Sequence, residues 1–301
     1  MIIVSVIIPT FGKPLFLDKA IKSVLSQTLH DIELIIIDDN NPNSQERALT
    51  EELVNSYVSI DSRVKYLKHE KNKNGAVARN TGFAVAQGKY ISLLDSDDEY
   101  MPERLQKCYN IMETVSDSIA GIYTGCEFRR GGSVYYKYKD VKDGRFVVET
   151  LACTFMFCTG SNIFIRKNVV DELNGFDGAF LRHQDYEFLV RVFEKYTLKA
   201  IPEILVIKNN ENFNLPNVEK QIEIKKQYLA KFDYIIKQLS LKEQNYIYRK
   251  NYISIAENAL AQKKYAVANE YYAQARSYGQ LTIKEWARRI VFPIYTIIKG
   301  K

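Results

Sequence analysis

Residues 2–98 alternate short apolar runs with helix-forming segments, and this alternation most constrains how the chain can fold. Continuous β-branched runs at 2–8, which we expect Pro9 to end, and at 32–37 predict buried strands, and shorter runs at 64–67 and 90–94 predict two more. The segments between them have apolar residues at helical spacing, over 17–27, 44–57 and 75–86. The order predicts an α/β fold with a mostly parallel central sheet and helices on both faces.

Acidic residues follow two of these strands directly. Asp38 and Asp39 come after the second strand, and Asp95, Asp97 and Asp98 come after the fourth. Because ligands of parallel sheets bind beyond the carboxyl ends of the strands, we expect both groups to face one crevice. Oxygen ligands suit Mg²⁺ or Mn²⁺, which complete their coordination with phosphate oxygens, so a nucleoside diphosphate is the expected co-ligand. Either group alone is also compatible with a solvated turn that starts a helix.

The second half of the chain is more mixed. Further strands are predicted at 119–124, 162–166 and 205–208, with a helix over 184–196. A hairpin is predicted over 128–138 around a Gly-Gly pair. From Val218 onward the sequence is helical, and 246–278 has the small and aromatic spacing of a tetratricopeptide-like helix pair that turns at Lys263 and Lys264.

Several blocks of this sequence, taken in order, resemble glycosyltransferase family 2. The blocks are 4–11, 21–28, 33–40, 74–82 and 88–98, followed by 159–166, 175–177 and 183–185. The resemblance spans about residues 2–210. It implies the GT-A fold, a Rossmann-like sheet fused to an acceptor-binding half, and inversion at the transferred sugar. We therefore expect a GT-A domain at 1–215, with a nucleotide-binding half at 1–100 and an acceptor-binding half at 101–215, and a C-terminal α-helical extension at 216–301.

The resemblance also implies a donor site. Pro9, Thr10 and Phe11 would line the nucleotide base, with Phe11 able to stack on it. Asp39 would accept the uracil N3–H, with Asp38 close by.

Four further residues would surround the diphosphate of the donor. Arg79 would approach the pyrophosphate or hold the nearby acidic turn. Asp97 would ligate the Mn²⁺ or Mg²⁺ ion, and Asp95 would reach the ribose or the water shell of the metal. Asp98 would lie beside the metal or contact the donor sugar. Lys208 stands where relatives carry a His or Arg and could replace it as a phosphate contact.

The general base implied by the resemblance is Asp185, in a block where the family has an acidic pair. Here Gln184 takes the place of the first acid, which removes one negative neighbour. The acceptor hydroxyl would be held by the loop of Gly160, Ser161 and Asn162 and by neighbouring loops, and His183 could touch the acceptor or the diphosphate. Gln184 is also expected on the acceptor side. The other two histidines, His30 and His69, are expected to be exposed.

The charge of the chain is concentrated near its end. The net charge is +6, but residues 240–301 carry 11 Lys and Arg against 4 Asp and Glu, so residues 1–239 sum to −1. Nucleic-acid binding by the main body is therefore not expected. Residues 281–301 combine an apolar run with flanking cations, which suits contact with an anionic membrane surface. A terminal helix packed on the body is the other interpretation of this tail.

The remaining composition indicates a globular protein of a reducing compartment. The four cysteines have no paired spacing, which favours free thiols. No apolar run approaches the ~20 residues of a spanning helix, and no basic leader precedes the apolar start. We expect a cytoplasmic protein, peripheral at the inner face of the plasma membrane if the tail binds lipid, with a homodimer as an open alternative.

The predicted function is a metal-dependent inverting glycosyltransferase that uses a nucleotide-sugar donor, UDP being favoured by Asp39. Its acceptor would be a glycan or a lipid-linked saccharide of cell-surface polysaccharide synthesis, such as capsule or lipopolysaccharide. One alternative is a catalytically inactive nucleotide-sugar-binding or scaffold protein. A sugar nucleotidyltransferase is less favoured, because only Gly12 and Lys13 stand where that class has a glycine-rich basic loop.

Overall fold

A computed structural model of the chain describes residues 1–209, 216–283 and 285–286. The chain divides into two compact units. The sheet unit comprises Met1–Arg145 and Met156–Asn212, and the helical unit comprises Phe146–Phe155 and Phe213–Lys301. The domain prediction had assigned residues 146–155 to the acceptor-binding half, whereas here they group with the C-terminal helices.

The described residues of the sheet unit form one nine-stranded sheet. Its strands are β1 (Val4–Thr10), β2 (Ile32–Asp38), β3 (Val64–Lys68), β4 (Tyr90–Leu93), β5 (Glu99–Tyr100), β6 (Ile119–Arg130), β7 (Ser133–Tyr138), β8 (Phe164–Arg166) and β9 (Thr197–Asn209). The helices of this unit are α1 (Leu17–Leu25), α2 (Gln45–Val58), α3 (Gly75–Val85), α4 (Arg104–Met112), α6 (Lys167–Glu172) and α7 (Gln184–Lys195). α5 (Val147–Leu151) lies in the helical unit.

The sheet is parallel in its first half and mixed in its second. Its strand order is β3-β2-β1-β4-β8-β6-β9-β5, with β7 paired to β6. β1 to β4 pair in parallel, β8 is antiparallel to both β4 and β6, and β9 returns parallel to β6. The α/β prediction with a central sheet and packed helices is confirmed, and the mostly parallel arrangement holds for the first four strands.

The expectation that Pro9 ends the first strand is wrong. β1 continues to Thr10, which pairs with Asp38 of β2. On its other side β1 pairs with β4 only as far as Ile7. The missing N–H of Pro9 therefore leaves no ladder partner unsatisfied, which is how proline is accommodated in a strand.

Helix α3 lies very close to strand β1. A Cβ placed on Gly82 would be 2.6 Å from Cγ2 of Ile7, so only glycine permits this approach. The start of α3 is capped by Asn74, whose side-chain oxygen accepts hydrogen bonds from the N–H groups of Ala76 and Val77. The close packing fixes α3 over the sheet and so fixes the position of Arg79 on its inner face.

The helical unit contains the helix pair that the sequence predicts. Its C-terminal helices are α8 (Val218–Lys231), α9 (Asp233–Ile236), α10 (Leu241–Ala261) and α11 (Tyr265–Ser277). α10 begins with a capping box in which Ser240 and Glu243 satisfy each other's backbone N–H groups. The turn between α10 and α11 includes Lys263 and Lys264, as predicted.

Segment 146–155 is bonded to the C-terminal helices by buried polar contacts. The Tyr228 hydroxyl donates to the Thr150 carbonyl at 2.8 Å, and Asn251 Nδ2 donates to the Leu151 carbonyl at 2.9 Å.

Within the part of the chain that the structure describes, no helix is both long and apolar enough to cross a bilayer. The predicted membrane-binding run at 290–298 lies outside the described residues.

Candidate active site

A cleft of about 710 Å³ opens at the carboxyl ends of β1, β2 and β4. Seven of the predicted site residues line it: Pro9, Thr10, Phe11, Asp39, Arg79, Asp95 and Asp97. The side chain of Phe11 is 62% exposed, so its ring is available to a ligand. Other lining residues, among them Lys13, Asn72, Leu181 and Arg182, lie outside the motifs that predict this site.

Asp39 is fixed at the wall of this cleft by three donors. Its Oδ1 is 2.7 Å from Nδ1 of His69 and accepts the backbone N–H of Lys73 at 2.8 Å. Its Oδ2 accepts from Nδ2 of Asn72 at 3.0 Å. The backbone N–H of Asp39 donates to the Thr10 carbonyl, which ties the ends of β2 and β1 together. A carboxylate held in this way presents a fixed acceptor to a bound base.

The expectation that His69 is exposed is wrong. The side chain is 6% exposed and bridges Asp39 to Thr81, whose Oγ1 lies 2.9 Å from Nε2 of the imidazole. Sequence reasoning placed His69 in a polar loop because the chain beside it is polar; the contact with Asp39 spans 30 residues and has no local signal. His30 is exposed, as expected.

Asp38 does not share the cleft with Asp39. Its side chain is buried, where Oδ2 accepts from the Tyr66 hydroxyl at 2.6 Å and lies 3.3 Å from Nε of Arg47. Successive residues at a strand end point to opposite sides, so only one of two adjacent aspartates can face the ligand. The donor-site role expected for Asp38 is therefore replaced by an internal ion pair that holds α2 against β2.

The acidic turn, Asp95 to Asp98, follows β4 at the floor of the cleft. Oxygen atoms of Asp95, Asp97 and Asp98 lie within 4.8 Å of one another. Asp98 is fully buried, and its Oδ2 accepts from Ser161 Oγ at 2.6 Å and Thr159 Oγ1 at 3.1 Å. Burial raises the pKa of Asp98 to about 7, against the opposing charge of Lys208.

Asp95 and Asp97 differ in their partners. Asp95 Oδ1 accepts from Nη2 of Arg79 at 2.6 Å. Burial opposes the ionisation of Asp95, but Arg79, Lys208 and the hydrogen bonds to its carboxylate together more than offset burial and hold its pKa below the usual value. The Asp97 carboxylate accepts no hydrogen bond from the other described residues, and burial together with Asp95 raises its pKa. Asp97 is thus the carboxylate that most lacks a compensating cation.

Lys208, near the end of β9, contacts the acidic turn. Its Nζ is 3.6 Å from Asp98 Oδ2 and within hydrogen-bond distance of Thr159 Oγ1. Burial opposes its charge, but the three aspartates more than offset burial and raise its pKa. The next residue, Asn209, donates from Nδ2 to the Asp97 carbonyl at 2.8 Å. β9 therefore contacts the turn through both Lys208 and Asn209.

Asp185 lies in the first turn of α7 with an unsatisfied oxygen. Its Oδ1 is buried and has no hydrogen-bond partner among the described residues. Burial raises the pKa of Asp185, while the positive charge of Arg79 opposes that rise. A Cβ on Gly160 would be 2.8 Å from this Oδ1, so the carboxylate packs directly over a glycine. An ionisable group held in such surroundings is a candidate base.

Gly160, Ser161 and Asn162 form a buried 3-10 turn rather than an exposed acceptor loop. Ser161 Oγ donates to Asp98 and accepts the N–H of Asp95 at 2.9 Å. Asn162 Nδ2 donates to the carbonyls of Thr124 and Phe157. Both side chains are therefore engaged inside the protein, which contradicts the acceptor contacts expected for them and gives them a supporting position under the acidic turn.

The residues before Asp185 connect it to α3. Gln184 Oε1 accepts from Nη1 of Arg79 at 2.9 Å, so the same guanidinium joins Gln184 and Asp95. His183 precedes α7 in a left-handed conformation, with φ of 60°. Its ring lies edge-on to Tyr186, with centroids 5.8 Å apart. Gln184 thus contacts Arg79, while His183 contacts Tyr186 of α7.

The acidic turn fits a hard divalent cation. Its possible metal ligands are all carboxylate oxygens. Burial raises the pKa of Asp97 and Asp98, and repulsion from the neighbouring carboxylates raises both further. Asp98 is already engaged with Ser161 and Thr159. Asp95 accepts from Arg79 on Oδ1 and from Thr159 on Oδ2, at 3.3 Å, so Asp97 is the carboxylate with the most capacity left to hold an ion. The hydrogen-bonding residues Ser161 and Thr159 had no motif that marked this role in the sequence.

Comparisons with known proteins agree with this architecture. The model of the family "Glycosyl transferase family 2" matches residues 5–173, more than half of the chain. An uncharacterized glycosyltransferase of Methanocaldococcus jannaschii is 31% identical over 73% of this chain and 75% of its own length. The amylovoran biosynthesis glycosyltransferase AmsB of Erwinia amylovora is 28% identical over 62% of each chain.

Solved structures show the same fold. S. aureus TarS 1-349, solved in complex with UDP-GlcNAc, superposes with a TM-score of 0.56 at 14% identity, over 92% of this chain and 91% of that one. The structural likeness establishes the GT-A fold alone, while the family match covers the strands that carry the cleft. On these grounds the chain belongs to glycosyltransferase family 2 and is a glycosyltransferase.

Proposed function

We propose that this enzyme transfers a sugar, with inversion, from a UDP-sugar to a hydroxyl of a glycan or lipid-linked acceptor in cell-surface polysaccharide synthesis. The observation that carries the proposal is the buried, unpartnered Oδ1 of Asp185 beside Arg79. The names of relatives support the pathway class, since AmsB and TuaG are named for amylovoran and teichuronic acid biosynthesis. TarS structures with UDP and UDP-GlcNAc support a uridine donor.

The nucleotide would lie along the end of β1. Phe11 offers an exposed ring for stacking, and the fixed carboxylate of Asp39 offers an acceptor for the N3–H of uracil. Cytosine lacks that N–H, so Asp39 favours uracil over cytosine. Arg79, whose positive charge is reinforced by Asp95 and Asp185, would attract the diphosphate from the floor of the cleft.

Asp185 would act as the general base. Its raised pKa makes it a stronger proton acceptor than an ordinary aspartate, and Arg79 still favours its ionised form. The acceptor hydroxyl gives its proton to Asp185 while its oxygen attacks the anomeric carbon. The bond from that carbon to the diphosphate oxygen breaks in the same step, so the configuration inverts.

Asp97 and Asp95 would hold Mn²⁺ or Mg²⁺. When bound, the ion supplies positive charge that compensates the negative charge growing on the departing diphosphate. Arg79 and Lys208 contribute further positive charge from two other elements of the fold. We also propose that the enzyme works at the inner face of the plasma membrane, where lipid-linked acceptors are found.

The proposal is tested by separating binding from chemistry. Thermal shifts with UDP-, GDP- and dTDP-sugars, with and without Mn²⁺, should single out UDP-sugars in the presence of metal. Asp185→Asn should lower transfer or donor hydrolysis by about 10²–10⁴-fold and leave UDP affinity within about twofold.

A second variant separates the metal from the base. Asp97→Asn should weaken Mn²⁺-dependent UDP binding, while Asp185→Asn should not. If the wild-type protein binds UDP-sugars but neither transfers nor hydrolyses them with any acceptor tested, an inactive nucleotide-sugar-binding protein is the correct description.

A further inference from the structure

The helical unit contains a pocket of its own, of about 320 Å³, between α8, α10 and α11. Its wall includes three tyrosines, Tyr248, Tyr252 and Tyr271, together with Lys225, Glu270 and Gln274. Ligand pockets in proteins begin at about this volume, which suits one or two sugar rings. All of these residues belong to the helical unit, so the pocket is a property of that unit by itself.

Lys225 is the unusual member of this pocket. Its side chain is only 2% exposed, yet it makes no ion pair and no hydrogen bond with the residues that the structure describes. Some other lysines of the unit are paired, such as Lys264 with Glu219 at 2.6 Å and Lys250 with Glu285 at 2.5 Å. Because Lys225 lines the pocket and has no acceptor among the described residues, its ammonium group is available to an anion that enters the pocket.

The tyrosines indicate what kind of anion fits. The rings of Tyr252 and Tyr271 lie with their centroids 5.9 Å apart, and Tyr248 is 6.4 Å from Tyr252. Tyrosine offers an apolar ring face and a polar hydroxyl, which match the C–H face and the hydroxyl groups of a sugar. Glu270, which accepts from Gln274 Nε2 at 3.1 Å, adds an acceptor for sugar hydroxyls.

We propose that this pocket binds an acidic sugar unit of the acceptor glycan, a pyranose that bears a carboxylate or a phosphate. The anionic group lies at Lys225, and the ring packs against Tyr252 and Tyr271. The inference rests on the proposed function, because it names the acceptor as an anionic glycan. Lys226, an exposed lysine of the same wall, adds to the positive charge at the pocket.

The test measures binding to the full-length protein by saturation-transfer NMR and calorimetry. The probes are D-glucuronate, glucose 6-phosphate and neutral D-glucose. Saturable binding of either anionic sugar is expected, about tenfold or more tighter than glucose, and the stronger of the two identifies carboxylate or phosphate as the preferred group. Equal binding of glucose, or no saturable binding of either anion, overturns the proposal.

Two further probes distinguish a sugar site from other anion sites. Inorganic phosphate should bind more weakly than glucose 6-phosphate, because it cannot use the tyrosine rings. N-acetylglutamate amide represents an acidic protein side chain. If phosphate or N-acetylglutamate amide binds as tightly as the best sugar, the pocket is a general anion site or a peptide site, and the proposal is wrong.

Variants assign the binding to this pocket. Lys225→Met should weaken binding of the anionic sugar about tenfold or more without lowering the thermal midpoint, since no ion pair or hydrogen bond among the described residues is lost. Lys220→Met, at an exposed position of the same helix, is the matched control and should bind as wild type does. Tyr252→Leu should also weaken binding.

The catalytic variant separates this inference from the proposed function. Asp185→Asn should bind the anionic sugar normally, so the pocket can be established even if transfer is never detected. Wild-type affinity in Lys225→Met overturns the inference and leaves the proposed transfer reaction untouched.

Discussion

At the scale of single residues, the arrangement around Asp185 depends on a missing side chain. Gly160 leaves room for the Asp185 carboxylate, whose three terminal atoms would all lie within 3.1 Å of an added Cβ. The backbone at Gly160 has no positive φ, and the three atoms nearest to an added Cβ all belong to the Asp185 carboxyl group, so an alanine there would push that side chain aside. The position of the proposed base can therefore be disturbed without altering the base itself.

We expect Gly160→Ala to lower kcat by about 10²-fold, because a displacement near 1 Å of a reacting group costs about that much. The thermal midpoint should change little, since the carboxylate is the end of a side chain that can move aside. Steady-state kinetics and a thermal melt check both expectations. In the double variant with Asp185→Asn, Gly160→Ala should cause no additional loss; an additive loss would show that Gly160 acts elsewhere.

Single residues also show how far the sequence predicts a site. Asp39, Arg79, Asp95 and Asp97 were predicted from strand ends and ordered motifs, and all four line the cleft. Local sequence has no means of showing that His69 supports Asp39, because the two meet only after 30 residues of chain have folded. The family resemblance suggested an acceptor loop at Ser161 and Asn162, but in the folded protein both side chains make internal hydrogen bonds.

At the scale of elements, α4 holds the 3-10 turn in place through Arg104. This arginine is fully buried, with its guanidinium 4.7 Å from the centre of the Tyr100 ring. Its Nη1 donates to Thr124 Oγ1 at 3.0 Å and to Asn162 Oδ1 at 3.1 Å. One cation thereby joins α4, β5, β6 and the turn that supports Asp95 and Asp98.

We expect Arg104→Met to lower the free energy of unfolding by about 2–4 kcal/mol, because it removes buried hydrogen bonds from a charged donor to Thr124, Asn162 and the Ser161 carbonyl. Urea denaturation measures the change. Asn110→Met, on the exposed face of the same helix, is the control and should stay within about 0.5 kcal/mol. If the two variants unfold alike, Arg104 does not stabilise the turn.

The strands also show how far secondary structure can be predicted from the hydrophobic pattern of the sequence. The uninterrupted apolar strands β1, β2 and β4 were predictable because each is buried on both faces. β9 was predicted only over 205–208, yet it extends over Thr197–Asn209. Its N-terminal half pairs with β6, and the buried apolar residues there, Leu198 and Ile201, do not follow the alternation that marks a strand. Pairing with a distant strand leaves no period in the local sequence.

At the scale of the whole molecule, the acidic turn makes the stability of the protein depend on pH. The pKa of Asp98 in the folded state, about 7, lies above its value near 4 in the unfolded chain. The folded state therefore keeps a proton that the unfolded state releases between these values. Stability contributed by Asp98 is present below about pH 4 and is lost as the pH rises towards 7.

We expect the metal-free wild-type protein to lose stability relative to Asp98→Asn as the pH rises from about 4 to about 7, by on the order of 1–4 kcal/mol. Urea denaturation of both proteins in EDTA across this pH range measures the difference in their free energies of unfolding. The contributions of the other titrating groups are common to both proteins and cancel in this difference. Saturating Mn²⁺ should reduce the loss, because the cation compensates the acidic turn. A flat difference across this range would contradict the raised pKa.

The division of the chain also governs how the enzyme can be dissected. Residues 146–155 leave the sheet unit, join the C-terminal helices through Thr150 and Leu151, and then return. A shortened protein that stops near residue 215 would retain residues 146–155 but would lack Tyr228 and Asn251, which donate hydrogen bonds to the Thr150 and Leu151 carbonyls. If such a deletion abolished activity, the cause could be either misfolding of residues 146–155 or loss of an acceptor site. Point substitutions within the helices distinguish these two causes better than the deletion does.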